Sequence, residues 1–135
     1  MLNSFRQCAV WLAASLFLVL PGLATAQSDT GLRLLMIEQA GCAYCVAFNR
    51  DIAPIYAKTP QGEAAPLIHA DLRDDMPDGI TLASRPFVTP TFILIGPDGT
   101  EISRMTGFPG EDFFWPYIAQ MIDEAQQSLS DAAVN

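Results

Sequence analysis

Cys42 and Cys45 stand three positions apart, directly after the apolar run RLLMIE (33–38) and at the start of a stretch with helically spaced apolar residues. That junction constrains the fold more than anything else in the chain, because it must hold two thiols side by side where a strand gives way to a helix. The remaining cysteine, Cys8, lies far upstream. A bridge between Cys42 and Cys45 closes a very short loop. Loop-closure entropy grows with loop length, so as a staple this pair adds far less stability than a long-range crosslink. The pair reads as chemistry rather than reinforcement.

The opening residues set the compartment in which that chemistry runs. Arg6 and the terminal amine precede an uncharged apolar run, Ala9 to Leu20, which Pro21-Gly22 breaks. Ala24-Thr25-Ala26 then supplies the small residues that a signal peptidase accepts. The pattern predicts a cleaved signal peptide over 1–26, cut after Ala26, and one exported domain over 27–135. An uncleaved anchor is the competing reading, but a spanning helix needs about 20 apolar residues and this run is shorter. Cys8 leaves with the signal. It is no lipid-attachment site, because Phe5-Arg6-Gln7 before it are not small apolar residues. Cys42 and Cys45 are then the one pair of the exported chain, in a compartment where thiols oxidise readily. With Arg6 removed, six Lys/Arg face fifteen Asp/Glu, a formal −9. Such a surface repels nucleic acid and anionic lipid, so neither is expected as a partner.

Periodicity and turn signals give the element order. Arg33 to Glu38 is strand-like, and Val46, Phe48, Ile52, Ile55 and Tyr56 predict a helix from Cys45 to near Lys58, before Pro60. PLIHADL (66–72) reads as a second strand, and DDMPDGITLAS (74–84) holds at most a short helix. TFILIG (91–96), the turn Pro97-Asp98-Gly99 and TEISRMTG (100–107) read as a hairpin. Phe114, Ile118, Met121, Ile122 and Ala125 share one face of a final helix running to about Leu129. Pro116 allows either a helix that opens there after a short turn or a longer helix kinked there. The sum is an α/β chain, β-α-β, a connector, then β-β-α, with a four-stranded mixed sheet flanked by helices. Chemistry in such sheets gathers at the carboxyl ends of the parallel strands, where the cysteine pair lies.

That place explains the spacing. If Cys42 caps the helix, unpaired backbone N–H groups and the positive end of the helix dipole face its sulfur and favour the thiolate. Cysteines so placed titrate at about 3.5–7.5 instead of about 8.5. Cys42 is then the exposed attacking thiolate, and Cys45, nearly one turn on, the buried resolving thiol. Metal sites and staples also use C-x-x-C, so a second signal is needed. FVTPTF (87–92) sets Pro90 just ahead of an apolar strand. A proline there either opens the strand in trans or forms a cis bond in a tight turn.

The combination of GCAYC at a helix start, Ile52-Ala53-Pro54 within that helix, Thr89-Pro90-Thr91 before a strand, the Asp98-Gly99 hairpin and Gly107 ahead of the last helix resembles the thioredoxin fold. The resemblance implies that Cys42 and Cys45 cycle between dithiol and disulfide. It implies a cis Thr89-Pro90 bond beside the pair, and substrate binding by Thr89, Pro90 and Tyr44, with an extended segment pairing along Thr89. GCAYCVAFNRDIAPIYAKT, APL, TPTF and GFPGEDFFW resemble the periplasmic thioredoxins encoded with bacterial sulfur-oxidation (Sox) enzymes. That likeness implies a monomer in the periplasm that reduces a disulfide on a partner protein such as the Sox sulfur-carrier complex, with electrons from a membrane thiol reductase.

Departures mark a subtype. Only Gln27 to Gly31 separate the expected cleavage point from the first strand, so the extra amino-terminal strand and helix of full thioredoxins are not expected. Gly41 replaces the usual tryptophan, Ala43-Tyr44 the usual Gly-Pro, and Pro54 comes about a turn later. Met36 takes the register of the family's buried Asp. Glu38, two residues on and therefore on the same strand face, is the candidate acid/base for Cys45, against the plainer reading of a solvated strand-end acid.

Other residues tempt less. His69, alone on its strand without a second ligand nearby, reads as structural. Phe108, Phe113, Phe114, Trp115 and Tyr117 read mainly as a seal between helix and sheet, with a docking face as the alternative. The leading function, a thiol–disulfide oxidoreductase, calls for no cofactor and no metal. Its rivals are a disulfide oxidase or isomerase and a Cu(I) carrier using Cys42 and Cys45, a role in which Thr89-Pro90 would have no part.

Overall fold

The apolar run after Gly31 forms β1 (Arg33–Glu38), in the computed structural model of the protein, which describes residues 30–134. Leu34 and Met36 point to one face of the sheet and Leu35 and Ile37 to the other, and all four are fully buried. A strand covered on both faces has no solvent side, which is why this one lacks the polar alternation of an exposed sheet. β1 pairs in parallel with β2 (Leu67–Asp71) and antiparallel with β3 (Thr91–Ile95). β3 in turn pairs antiparallel with β4 (Glu101–Thr106), giving the order β2-β1-β3-β4. The expected four-stranded mixed sheet is present. The expected signal segment and Cys8 lie outside the described residues.

Register fixes where the loops gather. Glu38 sits opposite Asp71, Ile37 opposite Thr91, and Thr91 opposite Thr106. The carboxyl ends of β1, β2 and β4 therefore share one edge with the amino end of β3. The cysteines follow β1, Thr89-Pro90 precede β3 and Gly107 follows β4, so three chain-distant segments meet there.

The helices depart from expectation at three points. The single helix predicted to near Lys58 is broken into α1 (Ala43–Asp51) and α2 (Ala53–Tyr56) around Ile52. Pro54 has no N–H for the Arg50 carbonyl, and its ring crowds that carbonyl, so the helix stops and restarts. A further short helix, α3 (Pro60–Ala64), was not expected. Thr59 caps it, its hydroxyl accepting from the Gly62 N–H at 3.1 Å, and Pro60 occupies the first turn, where a missing N–H costs nothing. Gly62 is required by contact: a Cβ there would lie 1.9 Å from the Tyr56 carbonyl oxygen. The last helix, α4 (Glu111–Val134), runs through Pro116 and beyond Leu129. The hydrogen bond that Pro116 cannot make belongs to the carbonyl of Asp112, an exposed residue in the first turn, so the helix continues.

All the named helices contribute to one face. Phe48, Ile52, Tyr56, Phe114, Ile118, Met121, Ile122 and Ala125 pack with Leu34, Met36, Phe92 and Leu94. Phe114 is the hub, its ring centre 5.1 Å from Phe48, 5.2 Å from Phe92 and 5.3 Å from Trp115. On the opposite face Leu35, Ile37, Ile93 and Ile95 are covered by Ile68, Ala70, Leu72, Met76, Ile80 and Leu82. The connector thus covers that face as an irregular segment of turns and bends with no helix. Pro77 and the left-handed Gly79 (φ 78°) prevent one. Backbone bonds Thr81 to Gly99 (2.9 Å) and Glu101 to Thr81 (3.0 Å) fasten it beside the hairpin. Glu101 adds to the tie, accepting from Arg104 at 2.6 Å and from the Ala83 N–H at 2.9 Å, while Arg104 also donates to the Ser84 carbonyl.

Candidate redox site

Gly41 (φ 82°) turns the chain out of β1, and Cys42 follows in an extended conformation as the N-cap of α1. Its Sγ accepts from the Cys45 N–H at 3.1 Å and its carbonyl from the Val46 N–H at 3.1 Å. The predicted cap is present: one sulfur sits among the free donors of a helix start, where negative charge is favoured. Cys42 and Cys45 form a disulfide with an S–S distance of 2.06 Å and Cα atoms 5.2 Å apart. Cys42 is the more accessible of the two, at 9% against 3%, but less open than expected. Exposure comes from its neighbours: Tyr44 is 65% exposed and Val46 similarly so.

The Thr89-Pro90 peptide is cis, as the resemblance implied. Its loop is held from three sides. The Pro90 carbonyl accepts from the Gly107 N–H at 2.7 Å, the Thr91 hydroxyl donates to the Val88 carbonyl at 2.7 Å, and the Gln39 side-chain amide donates to the Thr89 hydroxyl at 3.0 Å. Gln39 also reaches the cysteines, since its carbonyl accepts from the Cys42 N–H at 3.3 Å. It links the two motifs, and no local pattern in the sequence singles it out. Phe87, 88% exposed, projects from the same loop.

Glu38 lies on the Met36 face, as expected, but its oxygens are engaged elsewhere than at Cys45. Asn49 on α1 donates to one at 2.7 Å, and His69 Nδ1 on β2 lies 3.0 Å from the other. The carboxylate thereby joins β1, β2 and α1 at the rim of the site. His69, read from the sequence as structural, has this partner. The aromatic group divides: Phe114 is fully buried, Phe108 and Trp115 pack against the core, and Phe113 and Tyr117 remain exposed. Trp115 stacks on Tyr56 with ring centres 6.1 Å apart and planes 12° from parallel.

Two thiols at a helix start beside a cis-proline loop can exchange a disulfide with another molecule, and comparison with known proteins bears on that chemistry. No protein-family model and no curated protein sequence matches the chain. Among solved structures, the periplasmic thioredoxin SoxS from Paracoccus pantotrophus in its reduced form is 48% identical, over 70% of this chain and 98% of that one, with a TM-score of 0.67. More distant are the Malassezia sympodialis thioredoxin Mala s 13 (18% identical, 70% of this chain and 77% of that one, TM-score 0.48) and the reduced N-terminal domain of PilB from N. meningitidis (17%, 74% and 81%, 0.45). The likeness to SoxS bears out the resemblance to Sox thioredoxins read from the GCAYC and TPTF segments. Near-half identity over almost the whole of a solved thioredoxin, with the same kind of fold and a Cys42–Cys45 disulfide at a helix start, places this chain in the thioredoxin family of thiol–disulfide oxidoreductases.

Proposed function

We propose that the chain is exported to the periplasm and there reduces a disulfide on a partner protein, with the sulfur-carrier complex of a Sox system as the candidate partner. The observation that carries this reading is the cap: the Cys42 sulfur accepts from a helix-start N–H while Cys45 sits a turn away within bonding reach. In the reduced protein, the Cys42 thiolate attacks one sulfur of the partner disulfide. That S–S bond breaks, its second sulfur leaves as a thiolate that takes up a proton, and a mixed disulfide joins the two proteins. Cys45 loses its proton and attacks the Cys42 sulfur, releasing the second partner thiol and closing Cys42–Cys45. Two electrons pass to the partner, and a membrane thiol reductase restores the dithiol.

Thr89, Pro90 and Tyr44 are the assigned substrate contacts, with the partner's segment laid along Thr89 as an added strand. Glu38, held at the rim of the site by Asn49 and His69, is the candidate acceptor of the Cys45 proton. The apolar run and small-residue site of residues 1–26, with the similarity to a periplasmic thioredoxin, support export. Direction is decided by the reduction potential of the 27–135 protein equilibrated with glutathione. A value near about −270 mV is expected for a reductant. One near about −120 mV would instead make the protein a disulfide donor.

A further inference from the structure

β1 and β3 pair in a register in which Leu35 meets Ile93 and Ile37 meets Thr91. Continued by one more pair of steps, that register sets Glu38 against Pro90 and Gln39 against Thr89. The backbone ladder does not follow: Pro90 turns its carbonyl to the Gly107 N–H on the β4 side, and the Gln39 carbonyl turns to the Cys42 N–H. At the next step the Gln39 amide donates to the Thr89 hydroxyl at 3.0 Å, across a separation of 50 residues. A side-chain bond thus stands where the ladder stops. Gln39 and Thr89 are both partly buried, which shields the bond from competition by water.

The other end of the same residue holds the cysteine loop, through the Gln39 carbonyl and the Cys42 N–H. We propose that Gln39 is a positioning residue for partner docking: it sets the spacing between Thr89 and Cys42, so that an extended segment laid along Thr89 delivers its sulfur onto Cys42. This rests on the reductase reading given above. Gln39 does not touch the reacting sulfurs through its side chain, so its effect falls on substrates that need the docking loop and spares those that reach Cys42 without it.

The test uses the full 27–135 protein and two probes, a synthetic peptide disulfide with extended flanks and the small hydroxyethyl disulfide. Gln39→Ala is expected to raise KM for the peptide about three- to tenfold, the range for loss of one neutral hydrogen bond. The hydroxyethyl disulfide rate and the reduction potential should stay unchanged. Thr89→Val should also raise the peptide KM, the double variant should be no worse than Thr89→Val alone, and Thr89→Ser, which keeps the hydroxyl, should keep wild-type KM. Equal losses on both probes, additive losses in the double variant, or no loss on the peptide would each overturn the assignment of Gln39. A wild-type protein that reduces neither probe would instead overturn the reductase reading itself, and the positioning role with it.

Discussion

Tyr56 and Glu38 show what single residues contribute and how far each could be read in advance. Tyr56 is fully buried, burial pushes its phenol up from the ordinary value, and its hydroxyl donates to the Ala65 carbonyl at 2.9 Å. Replacement by Phe keeps the ring stack on Trp115 but leaves that carbonyl without its donor. Tyr56→Phe is expected to cost about 1–2 kcal/mol in urea unfolding, with the slope of the transition unchanged. If Glu38 accepts the Cys45 proton, Glu38→Gln slows release of the second partner thiol by about 100-fold and leaves the first attack alone, so mixed disulfide accumulates in stopped-flow quench experiments. Cys42, Cys45, Thr89 and Pro90 were legible because each belongs to a short motif whose chemistry is local. Gln39 and the His69–Glu38–Asn49 contact were not. Their bonds cross between elements, and only the register brings them together.

At the scale of elements, strand runs and turn signals carried most of the information, and the helical region carried less. The break at Ile52 was written in Pro54, but apolar spacing continued across it and masked the punctuation, and Thr59-Pro60 was legible as a stop but not as the opening of α3. α3 then turns back so closely that Gly62→Ala would drive a Cβ into the Tyr56 carbonyl. That substitution is expected to lower stability by about 2–3 kcal/mol, seen as a lower melting temperature without loss of the Cys42–Cys45 disulfide. The connector is held by Glu101, whose side chain is almost fully covered. Burial opposes its ionisation, but hydrogen bonds from Arg104 and from the Ala83 N–H outweigh that penalty and hold its carboxyl below the usual range. A carboxyl lowered in the folded state contributes stability that is present above the ordinary carboxylate range and fades as pH falls through the lowered value. Glu101→Gln should therefore be less stable than wild type by about 1–2 kcal/mol at neutral pH, with the gap narrowing on acidification. Denaturant midpoints measured from pH 7 down to pH 3 check the sign.

For the whole molecule, the order β2-β1-β3-β4 matters because it sets three loops from distant parts of the chain at one edge. The α/β class, the parallel and antiparallel pairings and the place of the cysteines followed from periodicity and turn chemistry. The one-sided placement of the helices did not. The connector's apolar residues Leu72, Met76 and Ile80 fall four apart, as on a helix, but Pro77 and Gly79 forbid one, and their role, like that of Leu82, appears only against the second sheet face. A formal −9 over residues 27–135 bears on which surfaces the protein can approach, while the sheet edge decides what happens on contact. Both bear on the proposed division of labour between two sulfurs, in which Cys42 captures and Cys45 releases. The direct measurement is mass spectrometry of Cys45→Ser and Cys42→Ser after brief exposure to a peptide disulfide at neutral pH. A stable peptide adduct is expected on Cys42 in the first variant, with little or none on Cys45 in the second; equal adducts on both, or an adduct on Cys45 alone, would overturn this division.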